Sequence, residues 1–300
     1  MKTVDYEVII IGGSYAGLSS AMALGRSLRK TLIIDSGKPC NEQTPHSHNF
    51  VTHDGKKPSE IAQQAKEQVL QYSSVTFTKA KAMSGTKMED YFIINTDTNE
   101  TFSAKKLIFA TGIKDIMPEI TGFSECWGIS VIHCPYCHGY EYKKQPTGLF
   151  ASGDKAMHMA GLIRNLTDKL TIFASENSFT EEQLQKLAKN EIEVKHSALK
   201  EIVHTDGYLH QIILENGESI ALNALYAPRP FTQHCSIPEK LGCKLNEQGY
   251  LETDATMKTV IPGVYACGDN VFPMRSVASA IAQGNLAGAM VNMELVQESF

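Results

Sequence analysis

Residues 6–35 read YEVIIIGGSYAGLSSAMALGRSLRKTLIID, and this stretch decides the fold. YEVIII (6–11) is an apolar run of strand length. GGSYAG (12–17) is a glycine-rich turn. LSSAMALGRSLR reads as a helix and TLIID (31–35) as a second strand. Strand, turn, helix and strand make a βαβ unit of the dinucleotide-binding kind. The residue types have a physical reason. Glycine lets the backbone approach a pyrophosphate, and the first turn of a helix offers free N–H groups and partial positive charge. Asp35 stands 18 residues after Gly17, at the end of the second strand. A carboxylate there can accept hydrogen bonds from ribose hydroxyls. Ser14 occupies the middle glycine of the fingerprint; it is small and can itself donate to phosphate. A glycine turn alone is weak evidence, but in this setting dinucleotide binding outweighs a merely structural turn.

Working outward, residues 36–60 read as a loop that holds His46, His48 and His53. A loop rich in turn formers, with no helical i, i+4 histidine pair, argues against a metal. The loop is expected to lie over a cofactor ring. A helix is expected at 61–72, and strands near 75–78, 91–95 and 106–110. IKDIMPEITG (113–122) contains a proline and reads as a linker. TGLFASGDKAMHMAGLIRNL (147–166) followed by KLTIFA (169–174) forms a second βαβ unit. Its turn has Ala151 where the fingerprint has glycine, and Ser175-Glu176 follows the second strand in place of arginines for a 2′-phosphate. The unit is dinucleotide-like in shape with a damaged signature, so nicotinamide cofactors are expected to be poor electron donors. Strand signals recur at 192–194, 210–214 and 219–222. TVIPGVYACGDN (259–270) is a β-like run ending in Gly268-Asp269. The helix-like 276–295 is rich in small residues, which suits close packing.

Three hundred residues are comfortable for two domains. A hydrophobic content of 42% and a charged content of 20% belong to a globular chain. The net charge of −5 gives no electrostatic footprint for nucleic acid or an anionic membrane. The longest apolar runs are strand-sized, so no bilayer-spanning helix is expected. MKTVDYEVIIIGG (1–13) is too short and acidic ahead of its apolar run for a signal peptide, so a cytoplasmic location is expected. There are seven cysteines. In a reducing compartment, a CxxC is more often catalytic or metal-binding than structural.

Two of the cysteines lie in HCPYCHGYE (133–141). Four readings compete. Cys134 to His138 matches the haem-attachment pattern, but attachment goes with export. A zinc site needs two more ligands, and although Cys126 and His133 are near in sequence, there is no second CxxC. Two buried thiols would be purely structural. The fourth reading is a redox-active disulphide. Pro135 stiffens the turn. A helix opening here would bring the second thiol near free N–H groups and favour thiolate. His138 is the candidate acid/base, since imidazole titrates near neutral pH. A solvated histidine without catalytic duty is the plainer alternative, and His133 is a second candidate.

Taken together, GGSYAG, the Ala110-Thr111-Gly112 turn, a CxxC ahead of a second βαβ unit and the late YACGD resemble the low-molecular-weight thioredoxin reductase class of FAD proteins. Within that class, an aspartate usually follows the second cysteine. Here the residue is His138, and CPYCHG resembles the dithiol oxidase branch, which includes the gliotoxin and holomycin sulfhydryl oxidases. The resemblance implies an α/β fold of two doubly wound, Rossmann-like dinucleotide-binding domains. One is a discontinuous FAD domain (1–114 and 242–300), and the other is an NAD(P)-binding-like domain carrying the CxxC (115–241).

The resemblance also implies roles. Cys137 faces the flavin, and Cys134 is the interchange cysteine attacked by a substrate thiol. Gly12, Gly13, Ser14, Tyr15, Ala16 and Gly17 hold the pyrophosphate of FAD, and Asp35 with Ser36 the adenosine ribose. Thr111 and Gly112 line the adjacent crossing. Gly268 and Asp269 meet the ribityl chain, and Ser276 and Val277 the pyrimidine side of the ring. Lys38, Asn41 and His48 are further contacts, with a solvent-facing loop as their plainer reading. No metal ligand is assigned. The implied enzyme is a cytoplasmic homodimer that oxidises small-molecule or protein thiols, with oxygen as acceptor. A thioredoxin-reductase-like enzyme running the other way, fed by NAD(P)H or another donor, is the alternative, and a flavin redox sensor without turnover is a third reading.

Overall fold

The structure is a computed structural model that describes residues 4–300. In chain order the elements open with β1 (Tyr6–Ile11), α1 (Tyr15–Arg26), β2 (Thr31–Asp35), α2 (Pro58–Val69), β3 (Val75–Lys79), β4 (Ala82–Lys87), β5 (Phe92–Thr96) and β6 (Thr101–Phe109). There follow β7 (Ile113–Asp115), α3 (Phe123–Cys126), β8 (Val131–Ile132), α4 (Pro135–His138), β9 (Thr147–Phe150), α5 (Gly153–Arg164), β10 (Leu170–Phe173), α6 (Glu181–Lys189) and β11 (Glu193–Lys195). The chain continues through β12 (Leu199–Thr205), β13 (Tyr208–Leu214), β14 (Ser219–Ala221), β15 (Ala224–Tyr226), β16 (Phe231–Gln233) and α7 (Ile237–Lys240). It ends with β17 (Val264–Ala266) and α8 (Val277–Ser299).

Two compact units result. The first takes the chain up to Glu42, then Pro58–Lys114 and Phe231–Phe300; the second takes Gln43–Lys57 and Asp115–Pro230. This division differs from the sequence boundaries in two places. Residues 231–241 join the first unit because Ile237 is buried in its core with Ile94 and Leu251. Residues 43–57 join the second, where His48 faces Glu141.

In the first unit, β3, β2, β1 and β6 run parallel, β17 pairs with the end of β6, and β5 and β4 add an antiparallel edge. Ile9 sits opposite both Leu32 and Leu107, and all three are fully buried. Each such side chain contributes roughly 1.5–3 kcal/mol on burial. The small-residue helix α8 packs on α1 as its composition suggests. A Cβ at Gly284 would stand 2.1 Å from the Ala16 carbonyl oxygen, and one at Gly288 would stand 2.5 Å from that of Ser20. The far end of α8 is fastened by Glu294, which receives Lys106 and Lys258 Nζ at 2.5 Å and the Tyr265 hydroxyl at 2.6 Å. Burial pushes the Glu294 carboxyl up, but these donors outweigh it and hold the group at about 2.

In the second unit, β11, β10, β9, β15 and β8 form a five-stranded parallel sheet, and β12, β13 and β14 a separate antiparallel one. The expected second βαβ unit is β9, α5 and β10. The expected linker at 113–122 instead begins with a short strand, since β7 pairs with β16. No helix among the described residues is long and apolar enough to cross a membrane.

Candidate functional site

In the first unit, Gly12, the 110–112 turn and Cys267–Asn270 follow the C-terminal ends of β1, β6 and β17, three strands joined through β6. Open parallel sheets bind ligands at that edge. Gly12 has φ +105°, and a Cβ there would lie 2.2 Å from the Ala110 carbonyl oxygen. A Cβ at Gly17 would lie 1.8 Å from the Gly12 carbonyl oxygen, so only glycine lets α1 start this close to β1. Ser14 is the N-cap of α1 but its side chain makes no capping bond, and the first turn has no acidic residue. The helix therefore presents N–H groups to an anion with no carboxylate of its own to repel it. Asp35 is oriented by two backbone donors: Gly13 N–H to Oδ1 at 3.0 Å and Gly37 N–H to Oδ2 at 3.1 Å. Each oxygen keeps a second lone pair for a ribose hydroxyl.

The other expected contacts divide. Tyr15 gives the turn only its backbone, because its buried hydroxyl donates to the Pro58 carbonyl at 3.1 Å. Asn41 Nδ2 donates to that same hydroxyl at 3.4 Å. Ser36 and Lys38 are exposed beyond β2. Gly112 has φ +63° and open space where a Cβ would be. Gly268 has φ +90°, with its N–H donating to Gln283 Oε1 at 3.0 Å. Asp269 faces Arg275 Nε at 3.6 Å. Ser276 caps α8 by accepting from Ser279 N–H at 3.1 Å, and Val277 is the first helical residue.

One residue was not foreseen. Asn270 is fully buried; its Nδ2 donates to the Phe109 carbonyl at 2.9 Å and lies 3.4 Å from Thr111 Oγ1, and its Oδ1 has no protein partner. A buried orphan acceptor between Asp269 and Thr111 fits a cradle completed by a hydroxylated ligand. A glycine turn that presents N–H groups, a carboxylate with free lone pairs and a buried unpartnered amide oxygen fit the phosphates and hydroxyls of FAD.

His48 lies on a loop of the second unit, and its Nε2 faces Glu141 Oε1 at 3.5 Å.

The CxxC lies in the second unit. Cys134 is the N-cap of α4 in an extended conformation, and Pro135 is its first residue. His138 N–H reaches back to the Cys134 carbonyl at 3.3 Å and Gly139 N–H to that of Pro135 at 2.9 Å. Gly139, the C-cap, is buried, and a Cβ there would stand 2.4 Å from both Leu166 Cδ1 and the Pro135 oxygen, so the position requires glycine. One turn has little macrodipole, so the helix-based argument for a thiolate at Cys137 loses its support. Both cysteines are half-buried, and Tyr136 between them is 66% exposed. His133 stacks on Trp127 with centroids 6.1 Å apart. The half-buried His138 is pushed down to about 4, first by burial and then by the charge of His48. At neutral pH it is an uncharged ring that can accept a proton.

The zinc alternative loses its nearest extra ligand. Cys126 is fully buried beside Phe123 and Val131, and burial pushes its thiol up to about 11. Among the described residues, no group of three or more His, Cys, Asp or Glu is arranged to hold a metal ion.

The second glycine turn differs from the first. Gly153 has φ +59° and opens α5, and Asp154 stands in the first helical turn, its Oδ1 accepting from Gln183 Nε2 at 2.8 Å. Burial lowers the Lys155 ammonium, and the nearby Arg229 charge lowers it further.

A model of the pyridine nucleotide-disulphide oxidoreductase family matches residues 6–284. Thioredoxin reductase tcpT of Claviceps purpurea is 28% identical over 304 residues, covering 97% of this chain and 95% of that protein. Thioredoxin reductase of Peptoclostridium litorale is 26% identical, covering 98% of each. The crystal structure of an oxidoreductase from Agrobacterium tumefaciens superposes with a TM-score of 0.91 at 34% identity, covering 97% of this chain and 99% of that one. The agreement runs the length of the chain, through both βαβ units and the cysteine turn between them, so this chain belongs to the pyridine nucleotide-disulphide oxidoreductase family and is an FAD-dependent disulphide oxidoreductase.

Proposed function

We propose that the enzyme oxidises thiol or dithiol substrates at Cys134–Cys137, with oxygen as the final acceptor. A substrate thiolate attacks Cys134 Sγ; the Cys134–Cys137 bond breaks and Cys137 leaves as thiolate. The second substrate thiol, deprotonated, attacks the substrate sulfur of the mixed disulphide and releases Cys134. The products are a substrate disulphide and a reduced Cys134/Cys137 pair. His138, neutral at pH 7, accepts the proton of the incoming thiol. Bound FAD supplies a two-electron acceptor for the dithiol. Gly12–Gly17, Asp35, Thr111, Gly112, Gly268, Asp269, Ser276 and Val277 are the residues we assign to holding it.

The observation that carries this direction of flow is the second glycine turn. Ala151 replaces a fingerprint glycine, and Asp154 brings a carboxylate to the end of α5 that a pyrophosphate would approach. A nicotinamide donor is disfavoured on both counts. The reverse reading, a reductase fed by NAD(P)H, is favoured by one observation: Lys155 and Arg229 stand near enough to each other for their charges to interact, and Lys155 is in the first turn of α5.

The test is stoichiometric. In air and without nicotinamide, the enzyme should form one hydrogen peroxide for each dithiothreitol oxidised. No oxygen uptake with the dithiol, together with NADPH-dependent disulphide reduction, would reverse the assignment.

A further inference from the structure

The segment after β2 carries a cysteine to the FAD cradle of the first unit. Glu42 N–H donates to the Pro39 carbonyl at 3.2 Å, which closes a turn around Cys40 and Asn41. Asn41 Nδ2 ties that turn to the Tyr15 hydroxyl of α1 at 3.4 Å, and Tyr15 is itself held by the Pro58 carbonyl at 3.1 Å. Cys40 is the one exposed cysteine among the described residues, and its Sγ–H donates to Asp269 Oδ2 at 3.9 Å. Arg275 Nε stands 3.6 Å from the same oxygen. The Asp269 and Arg275 side chains are only 18% and 13% exposed, so an accessible thiol sits at the rim of a recessed ion pair. The guanidinium offsets the charge of the carboxylate, which lessens the penalty that a lone carboxylate would place on a thiolate at Cys40. The residue after Asp269 is the fully buried Asn270, whose Oδ1 has no protein partner. That orphan acceptor marks the place as one completed by a ligand, independently of the cysteine.

We propose that Cys40 is a modification site that controls cofactor loading: a small-molecule disulphide adds to its thiol when FAD is absent, and the adduct keeps FAD out. The step is a thiol–disulphide exchange. Cys40 gives its proton to solvent, and its sulfur attacks one sulfur of the disulphide. A bond forms from Cys40 Sγ to that sulfur, the original S–S bond breaks, and the other half leaves as a thiolate that takes up a proton. Cys40 is thereby oxidised to a mixed disulphide, and half of the reagent is reduced to a thiol. The adduct removes the S–H donor from Asp269 Oδ2. It also fixes a second sulfur about 2 Å from Cys40 Sγ, beside a carboxylate assigned to holding the cofactor. Adduct and FAD then compete, and linkage makes the competition reciprocal. Bound FAD disfavours the adduct by the same factor by which the adduct weakens FAD. The other thiols are set apart from this chemistry or belong to the CxxC. Cys126, Cys243 and Cys267 are buried, and burial pushes the half-buried Cys235 thiol up. Under the thiol-oxidation reading above, the enzyme's own product is a disulphide of the required class. The competition itself does not rest on that reading.

The purified full-length protein is equilibrated anaerobically with 2-mercaptoethanol and 2-hydroxyethyl disulphide, once with saturating FAD and once after dialysis to remove it. The adduct at Cys40 is quantified by peptide mass mapping. Its equilibrium constant should be roughly 10- to 100-fold larger without FAD. Fluorescence titration of the modified protein should show FAD affinity weakened by the same factor, and dithiothreitol should restore it. Cys40→Ser, carried through the same treatment, should bind FAD as it did before treatment, which separates Cys40 from the other six cysteines. Equal adduct with and without FAD, or a Cys40 adduct that leaves FAD affinity unaltered, overturns the proposal, whichever way electrons flow through the CxxC.

Discussion

Gly17→Val should purify without its flavin. The added Cβ would stand 1.8 Å from the Gly12 carbonyl oxygen and 2.9 Å from its carbonyl carbon. Neither can yield, because Gly12 N–H is held by the Ile34 carbonyl at 2.9 Å and its φ of +105° is itself tolerated only by glycine. Helix α1 must therefore back away from β1, and the N–H groups of its first turn move with it. Those groups are the anion-binding half of the cradle. Retreat is also blocked on the other side, where Gly284 of α8 packs on the Ala16 backbone. The strain is shed by losing the cofactor, and affinity should fall roughly 10³-fold or more, a loss of about 4 kcal/mol. Absorbance at the flavin bands after gel filtration reads this directly, with far-UV circular dichroism to confirm that the α/β fold is kept. A yellow Gly17→Val protein with full FAD content would mean that the cofactor does not sit on this turn.

Cys134→Ser and Cys137→Ser should each lower turnover roughly 10⁴-fold or more, and the double variant should be no worse than either, as for groups that act as a unit. A serine hydroxyl can neither form the disulphide nor leave from it. The two variants separate the roles. With 2-hydroxyethyl disulphide, Cys137→Ser should trap one mercaptoethanol on Cys134 as a mixed disulphide, releasing the other half as thiol. No neighbouring thiol remains to displace it. Cys134→Ser should trap little, because we assign Cys137 as the sulfur turned away from substrate. Intact-mass measurement decides, and an adduct found only in Cys134→Ser would exchange the two roles.

The sequence carried the fold wherever local chemistry and long-range packing agree. YEVIIIGGSYAG announces its strand and turn because the glycines are demanded by backbone contacts only a few residues away. The small residues of 276–295 announce α8 because two helix backbones touch there. Strand β4, AMSGTK, was not legible. It is an edge strand with no apolar alternation, formed because β5 offers it a ladder and Ile237 and Leu241 cover Gly85. The α4 helix opens at the CxxC as expected, but that it is a single turn was not legible.

Within the sites, Asp35 was legible from its distance to the glycine turn. The pairing of His48 with Glu141 was not legible, because its loop has no period and Glu141 comes far later in the chain. Asn270 was passed over because it follows the more recognisable Asp269, and only burial exposes its unpartnered oxygen.

The direction of electron flow can be read from the flavin itself. The yellow protein is mixed anaerobically in a stopped-flow instrument with dithiothreitol, NADPH or NADH at equal concentration, and the loss of flavin absorbance is followed. The dithiol should bleach the flavin faster than either nicotinamide, and the bleaching should be lost in Cys134→Ser. Faster bleaching by NADPH, unaffected by Cys134→Ser, would contradict thiol oxidation and identify a disulphide reductase.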